Sequence, residues 1–495
     1  MSLSSYHKQG GINSSDLYKL YNNEQLASAQ ATGLGVDIDS TVISAVGQAD
    51  DIVLVANDLD SLDLLVKGTE RYCKKYRVNL VPSKTKLLAF CTPTQITVVD
   101  YAKKMTDICI DGQVIKFDDK AEHVGIIRSP QGNMPHIQGR ITAHRKAMHS
   151  INRAGVARHH FGNPVASLRV HQIYGLSVLF SGMACLYLSS SEVKIIDLHL
   201  QRTVQNIQKL HQGTPRSITF LMAGCLPGEA ILHLKQLTLF MMICHLPGDV
   251  LHLHGKLVLE TGQPPQKSWF NHILKLCEKY CLPHPHLLLE EPPPKSIFKK
   301  NVKLAVVQYW EDTLRKEALD LESVRHFDVY AYGLSHPHWI WVSAGNNSFE
   351  VRKGCVLARM ISGRYRTDYF ARHWSSNKQG LCLIPGCVDK IGDLRHLLIE
   401  CSALAGTREK IIELILKKAS MLLPLHVFFQ SLFQSNTELQ YQFILEPFSF
   451  SHVQFLCNLY GNNIFYSICY FVRTYAFLIH TARQKQMNLK GEAFN

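Results

Sequence analysis

Two adjacent carboxylates, Asp50 and Asp51, are the first residues along the chain whose types and spacing suggest chemistry. They lie between two short apolar runs, residues 41–46 and 52–56, that are rich in β-branched side chains. This pattern predicts a hairpin with the carboxylates at its bend. Two carboxylates side by side repel each other unless a cation lies between them, so one interpretation is a divalent metal site. The other is a turn without a ligand, because aspartate is a common turn residue.

Three cysteines and a histidine form a second candidate site, with the spacing C-x4-C-x8-H-x4-C. The four residues are Cys382, Cys387, His396 and Cys401. Such ligands in a short span suit a tetrahedral Zn²⁺ site, which stabilises a segment too small to build its own core. The alternative is three buried cysteines and a histidine on an apolar helix, because Leu394, Leu397 and Leu398 surround His396.

Arginines and aromatic residues alternate just before this cluster, in residues 357–374. The members are Arg359, Arg364, Tyr365, Arg366, Tyr369, Phe370, Arg372 and Trp374. Arginine contacts phosphates and aromatic rings stack on unpaired bases, so this composition predicts nucleic-acid binding. Alternatively, Tyr365, Tyr369 and Phe370 share one helical face and belong to a core.

Several segments around the carboxylate pair must position it. Upstream, Gly10 and Gly11 allow the backbone to approach a ligand closely, and a helix-like stretch covers residues 17–31. Downstream, leucines from Leu59 onward have helical spacing, and a basic turn leads to residues 78–87 and then to residues 122–126.

The order of these segments resembles the reverse transcriptase of non-LTR (LINE-like) retrotransposons. Lys8-Gln9-Gly10-Gly11 is similar to the segment that grips template and nucleotide in that family, and Ala49-Asp50-Asp51 resembles its catalytic aspartate hairpin. Asn79 with Lys84-Thr85-Lys86 resembles the segment after the hairpin, and the region of Val124-Gly125 resembles the strand that enters the thumb. The Cys/His cluster resembles one that follows the thumb in many such elements.

The resemblance implies roles for individual residues. Asp50 and Asp51 would bind Mg²⁺ for in-line attack on a nucleotide, and Lys84 would approach the triphosphate. The residues implied to contact template or substrate are Gln9, Gly10, Gly11, Asn79, Arg364 and Arg366. RNA and DNA are therefore the expected partners, with Zn²⁺ and, in an active enzyme, Mg²⁺ as cofactors.

The same resemblance implies an incomplete metal site. In the family a third aspartate on an earlier palm strand completes the site, and this chain begins after the position of that strand. Two cations roughly 3.5–4 Å apart need more anionic oxygens than one carboxylate pair supplies. We therefore expect an RNA-directed DNA polymerase by descent that is inactive as an isolated chain. The alternative is a non-catalytic RNA- or DNA-binding protein derived from a retroelement.

Composition agrees with a polyanionic partner but does not require one. The net charge is +13, which favours nucleic acid or describes a generic basic protein. The 14 cysteines are scattered and no signal-peptide pattern begins the chain, so we expect reduced thiols in the nucleus or cytoplasm. The apolar residues 464–480 contain Arg473, which favours a core helix over a membrane span.

The predicted fold class is α+β: a partial reverse-transcriptase palm, a helical thumb, a small zinc-binding segment and a helical tail. The expected segments are 1–130 (palm), 131–260 (thumb), 261–350 (proline-containing linker and helical region), 351–410 (basic, aromatic and zinc-binding) and 411–495 (helical). Within them, an apolar stripe from Val193 to Ile207 predicts a helix behind a Ser191 cap. Residues 283–295 are predicted as a linker, and Asn301 to His326 as an amphipathic helix.

Overall fold

The computed structural model of the protein describes residues 14–38, 41–90, 107–153, 162–260, 268–373, 377 and 379–488. The predicted roles of Gln9, Gly10, Gly11 and Trp374 fall on residues outside these ranges. Helices predominate in the described part, and the strands form small antiparallel sheets, so the observed composition is α+β.

Each sheet among the described residues has two strands, paired β1–β2, β3–β4, β5–β6 and β7–β8. The strands are β1 Val36–Ile38, β2 Thr41–Ile43, β3 Ala45–Gln48, β4 Asp51–Leu54, β5 Cys109–Ile110, β6 Gln113–Val114, β7 Ala121–His123 and β8 Ile126–Arg128. The predicted carboxylate hairpin is confirmed as β3–β4, in which Gln48 pairs with Asp51.

The α-helices, in chain order, are α1 Ser14–Ala31, α2 Leu59–Tyr76, α3 Met134–Arg153, α4 Pro164–Val170, α5 Leu176–Leu179, α6 Ser190–Gln208, α7 Arg216–Ala223, α8 Gly228–Cys244, α9 Val250–Glu260, α10 Trp269–Lys279, α11 Pro285–Glu290, α12 Lys295–Leu319, α13 Trp339–Val342, α14 Ser348–Ile361, α15 Asp368–Ala371, α16 Ala405–Ala419, α17 Leu423–Gln434, α18 Thr437–Leu445, α19 Ser451–Tyr460 and α20 Asn462–Asn488. Within the described ranges, two π-helical turns, His171–Gly175 and His396–Glu400, and four short 3₁₀ turns lie between them.

The chain divides into two compact units that are each discontinuous in sequence. The first unit comprises Met1–Ala143, Leu179–Glu192 and Leu232–Val302, and the second comprises His144–Val178, Val193–Ile231 and Lys303–Asn495. The carboxylate hairpin belongs to the first unit, and the Cys/His cluster belongs to the second.

A small apolar core organises the β-rich part of the first unit. Its buried members are Val66, Leu87, Ile108, Ile110 and Ile115, and Leu54, Leu59, Leu62, Leu80 and Phe117 pack against it. Helix α2 contributes through an apolar face. Asp58 caps its N-terminus, because the Asp58 carboxylate accepts from the Ser61 amide at 2.7 Å, and Arg77 caps its C-terminus in the left-handed conformation. Strand β4 is thus fixed to the core at Leu54 and begins at Asp51, next to Asp50 in the turn.

Helix α6 confirms the predicted apolar stripe, because Ile196, Leu200 and Val204 are each 1% exposed. Its predicted cap is wrong. Ser189, not Ser191, accepts from the Glu192 amide, and the Glu192 carboxylate accepts from the Ser189 amide at 2.7 Å. This reciprocal pair is a capping box, which requires the acidic residue three positions after the cap.

Two boundaries near the prolines differ from the prediction. The expected linker at residues 283–295 contains α11, because Leu288 and Leu289 are buried and Pro285 occupies the first turn, which tolerates proline. The predicted helix from Asn301 to His326 is α12, which starts directly after the prolines and ends earlier, at Leu319.

The apolar residues 464–480 lie in α20 and are confirmed as part of a core helix. Ile468 and Ile479 are fully buried, and the buried Arg473 pairs with Glu350 at 3.2 Å. In the described part of the chain, no single helix is long and apolar enough to cross a membrane; only the bent pair α7 and α8 reaches the required length and composition together.

Candidate metal centre and candidate carboxylate site

A short hairpin-like loop presents the first two ligands of the Cys/His cluster. Leu381 and Ile391 form an antiparallel bridge, and the Cys382 amide donates to the Lys390 carbonyl at 2.7 Å. Inside the loop, the Cys387 amide donates to the Ile384 carbonyl at 3.1 Å. These bonds direct both cysteines to the same side of the loop.

A π-helical turn presents the other two ligands. The Cys401 amide donates to the His396 carbonyl at 2.7 Å, which is the i→i+5 bond of a π-helix. Residues five apart diverge on an α-helix, whereas this wider turn brings His396 and Cys401 to one side. The Asp393 carboxylate accepts from the His396 amide at 2.7 Å and fixes the start of the turn.

The ligand atoms of the four predicted residues converge. One atom from each of Cys382, Cys387, His396 and Cys401 lies within 4.8 Å of the others, and Cys387 Sγ is 3.3 Å from His396 Nε2. Tetrahedral Zn²⁺ with bonds of about 2.3 Å to sulfur and about 2.0–2.1 Å to nitrogen separates its ligand atoms by about 3.3–3.8 Å. The donor set and spacing therefore fit a closed zinc site, and His396 and Cys401 are almost fully buried in it.

The electrostatics of the cluster favour a thiolate at Cys401. A hydrogen bond from the Cys382 thiol lowers the pKa of Cys401 well below its ordinary value; burial opposes this shift, and a hydrogen bond with His396 adds to it. The same contact with Cys401 raises the pKa of Cys382, and burial raises it further. A zinc ligand must be deprotonated, so a preformed thiolate suits the metal.

Residues distant in sequence hold the loop in place. The Asp368 carboxylate accepts from the Leu383 amide at 3.2 Å and from Arg483 Nη2 at 2.8 Å. Both members of this ion pair are at least 95% buried, so the loop is connected to α20 through a desolvated charge pair. The Tyr475 hydroxyl, also on α20, donates to the Leu398 carbonyl at 2.8 Å and holds the π-helical turn.

The arginine–aromatic segment does not form the single helical face considered from the sequence. Helix α14 ends at Ile361, and the short α15 starts only at Asp368, so the rings diverge. Tyr365 is a core residue whose hydroxyl bonds His480 Nδ1 at 2.6 Å, whereas Tyr369 is 39% exposed. Arg364 is half-buried beside Phe370, and Arg366 is exposed.

The carboxylate site is built very differently. Asp50 and Asp51 lie at a two-residue turn in which Ala49 has φ +54°, and both are exposed. Asn22 of α1 donates to the Ala49 carbonyl at 3.4 Å and supports the turn. Among the residues that the structure describes, Asp50 and Asp51 belong to no cluster of three potential metal ligands.

Two further predicted residues of this site lie near the same core. Asn79 and Lys84 are exposed, on either side of Leu80, and Leu80 packs against the core that also receives Leu54 of the hairpin. The Lys84 amide donates to the Val81 carbonyl at 3.0 Å in a tight turn. The structure thus joins the two segments through their apolar residues.

Sequence reasoning missed a chain of three histidines in the second unit. His144 Nδ1 is 2.9 Å from His199 Nε2, and His144 Nε2 is 3.1 Å from His171 Nε2. Burial, followed by the neighbouring histidines and Arg145, lowers the pKa of His144 to about 3. Burial is also the main cause that lowers the pKa values of His171 and His199 to about 4. The wide sequence separations contain no motif that would have revealed this cluster.

The chain matches no protein-family model and has no significant sequence match among curated proteins.

Proposed function

We propose that the chain is a zinc-stabilised RNA- or DNA-binding protein of non-LTR reverse-transcriptase descent. The observation that carries the proposal is the convergence of the Cys/His cluster beside the arginine–aromatic segment. The order of the motifs along the chain supports the descent, and the cluster supports a role in holding nucleic acid.

In this proposal Cys382, Cys387, His396 and Cys401 hold the zinc ion. Four protein ligands leave no open coordination position, so the metal is structural and stabilises the loop and the π-helical turn. Cysteine ligands must stay reduced, which fits the nucleus or the cytoplasm.

The charge distribution supports a nucleic-acid partner. Helix α3 contains no acidic residue, and its Arg145, Lys146 and Arg153 are exposed. Arg366 adds an exposed guanidinium next to the zinc segment. Arginine and lysine side chains of this kind supply the sequence-independent contacts to phosphates.

The proposal is tested by fluorescence anisotropy with a labelled single-stranded RNA and a matched DNA. For two to four phosphate contacts on a single strand, affinity should fall about 7- to 50-fold between about 50 and about 200 mM salt, because binding releases counterions. Cys387→Ser should lower both zinc content and affinity, whereas Cys281→Ser, at an exposed cysteine outside the cluster, should lower neither. Salt-independent binding, or equal behaviour of the two variants, would contradict the proposal.

RNA-directed DNA synthesis is the second candidate function. It is favoured by the shared core that joins the Asp50-Asp51 hairpin to the segment of Asn79 and Lys84. In that case Asp50 and Asp51 bind Mg²⁺ together with the nucleotide phosphates, and Lys84 contacts the triphosphate. Because the pair alone supplies too few oxygens for two cations, we expect the isolated chain to show no primer extension on an RNA template. Extension that Asp50→Ala abolishes would overturn this expectation.

A further inference from the structure

Tyr369 and Arg372 form a stacked pair on the surface of the second unit. Arg372 Cζ lies 3.6 Å from the centroid of the Tyr369 ring, and Arg372 Nη1 donates to the Tyr369 carbonyl at 2.7 Å. Tyr369 is 39% exposed and Arg372 is half-buried. The hydrogen bond to the Tyr369 carbonyl therefore holds the guanidinium over the ring, while the pair stays accessible.

The loop that carries Cys382 and Cys387 holds the backbone of this pair through hydrogen bonds. The Tyr369 amide donates to the Gly392 carbonyl at 3.0 Å, and the Gly392 amide donates to the Gly380 carbonyl at 2.8 Å. Gly380 has φ +69°, and a Cβ atom there would lie 2.8 Å from Tyr369 Cα, so only glycine allows this approach. The loop that carries Cys382 thus contacts the backbone of the stacked pair directly.

Hydrogen bonds and an ion pair also hold the residues just before Tyr369. The Asp368 carboxylate accepts from Arg483 Nη2, and Arg483 Nη1 donates to the Arg366 carbonyl at 2.6 Å. The Thr367 hydroxyl accepts from the Phe370 amide at 3.0 Å and caps α15. An aromatic ring on such a rigid support loses little conformational entropy when it binds a ligand.

We propose that Tyr369 and Arg372 form a stacking site for an unpaired nucleobase of single-stranded RNA or DNA. This inference rests on the proposed nucleic-acid-binding function and assigns its single-strand contact. Unpaired bases stack on aromatic rings and on guanidinium planes. A duplex offers no such base face, because neighbouring base pairs cover it, so the site selects single strands.

The test compares single-stranded and duplex RNA of one sequence, titrated into the full chain by fluorescence anisotropy. Stacking of one base contributes about 1–3 kcal/mol, so Tyr369→Ala should weaken single-strand binding about 5- to 150-fold. Duplex binding should change less than about twofold. Tyr369→Phe should bind as the wild type does, whereas Tyr369→Leu, which keeps bulk without an aromatic face, should resemble Tyr369→Ala.

Tyr330 provides a matched control. It is 72% exposed, and its neighbour Arg315 lies 6.0 Å from the ring and donates instead to the Val329 and Tyr332 carbonyls. Tyr330→Ala should leave both affinities unchanged. Zinc content and helical circular dichroism, measured on every variant, identify any variant that does not fold.

The outcomes separate the stacking site from the function on which it rests. Wild-type binding to both RNAs with an unchanged Tyr369→Ala affinity would overturn the stacking site and leave the proposed function intact. An equal loss of single-strand and duplex binding in a folded Tyr369→Ala or Tyr369→Leu chain would also overturn it. A wild-type chain that binds neither RNA would overturn both.

Discussion

The carboxylate hairpin and the Cys/His cluster look equally suggestive in sequence but differ in how the structure supports them. The cluster draws its ligands from a loop and a π-helical turn, and Asp368, Arg483 and Tyr475 hold both in place. Asp50 and Asp51 are exposed at the tip of one two-stranded hairpin. A closed metal site requires several ligand side chains to converge, and within the described residues only the cluster meets this condition.

Zinc removal should produce the largest difference between the two regions. Structural zinc in small Cys/His modules binds with an apparent free energy of about 10–16 kcal/mol that also stabilises the fold. We expect His396→Ala to abolish stoichiometric zinc binding and to lower the melting temperature of the second unit. Elemental analysis measures the zinc content, and calorimetry measures the melting temperature. Full zinc content in His396→Ala would contradict the expected difference between the two regions.

Breaking the buried ion pair should have the next largest effect. Removal of one partner from a buried pair costs about 3–5 kcal/mol, because the other charge stays desolvated and alone. We therefore expect Asp368→Asn to lower the free energy of unfolding by about that amount in urea denaturation. The surface pair Lys86–Asp118, 2.6 Å apart in the first unit, is the control, and Lys86→Ala should have a much smaller effect on the free energy of unfolding.

Acidification should destabilise the second unit through its histidine chain. Folding lowers the pKa values of His144, His171 and His199, so below pH 6.5 the unfolded chain binds more protons than the folded chain. The contribution of these histidines to the free energy of unfolding is therefore fully present above about pH 6.5 and falls as the pH drops toward about 4. At pH 5 the loss is about 1–2 kcal/mol per histidine.

Urea denaturation at pH 7 and pH 5 measures this loss. His171→Gln should reduce the difference between the two pH values, and His149→Gln, at an exposed position of α3, should not. A difference that His171→Gln leaves unchanged would contradict the assignment to the histidine chain.

Substitution at the carboxylate hairpin should have the smallest effect on stability. Exposed side chains outside packed or charged networks contribute within about 0.5 kcal/mol, so Asp50→Asn with Asp51→Asn should unfold in urea as the wild type does. A loss above about 2 kcal/mol would show that the hairpin is structurally more important than its exposure indicates.

The sequence was most informative where a local pattern decides the structure. The stripe of α6, the core helix around Arg473 and the β3–β4 hairpin follow from periodicity and turn residues within one segment. The same holds for the four candidate zinc ligands, whose spacing is itself local.

Features that depend on distant residues could not be predicted in the same way. The π-helical turn at His396 resembles an ordinary apolar α-helix in sequence, so its i→i+5 hydrogen bond could not be predicted. The pairing of Asp368 with Arg483 and the chain from His144 to His199 join residues far apart in the sequence. Only the tertiary structure brings these side chains together.

The affinity for single-stranded RNA of the full chain, measured with zinc bound, removed and restored, tests the central claim most directly. If the Cys/His cluster holds the nucleic-acid contact in place, chelation should weaken binding at least about tenfold, a loss of about 1.4 kcal/mol, and added Zn²⁺ should restore it. An affinity that is the same in all three states would contradict the claim.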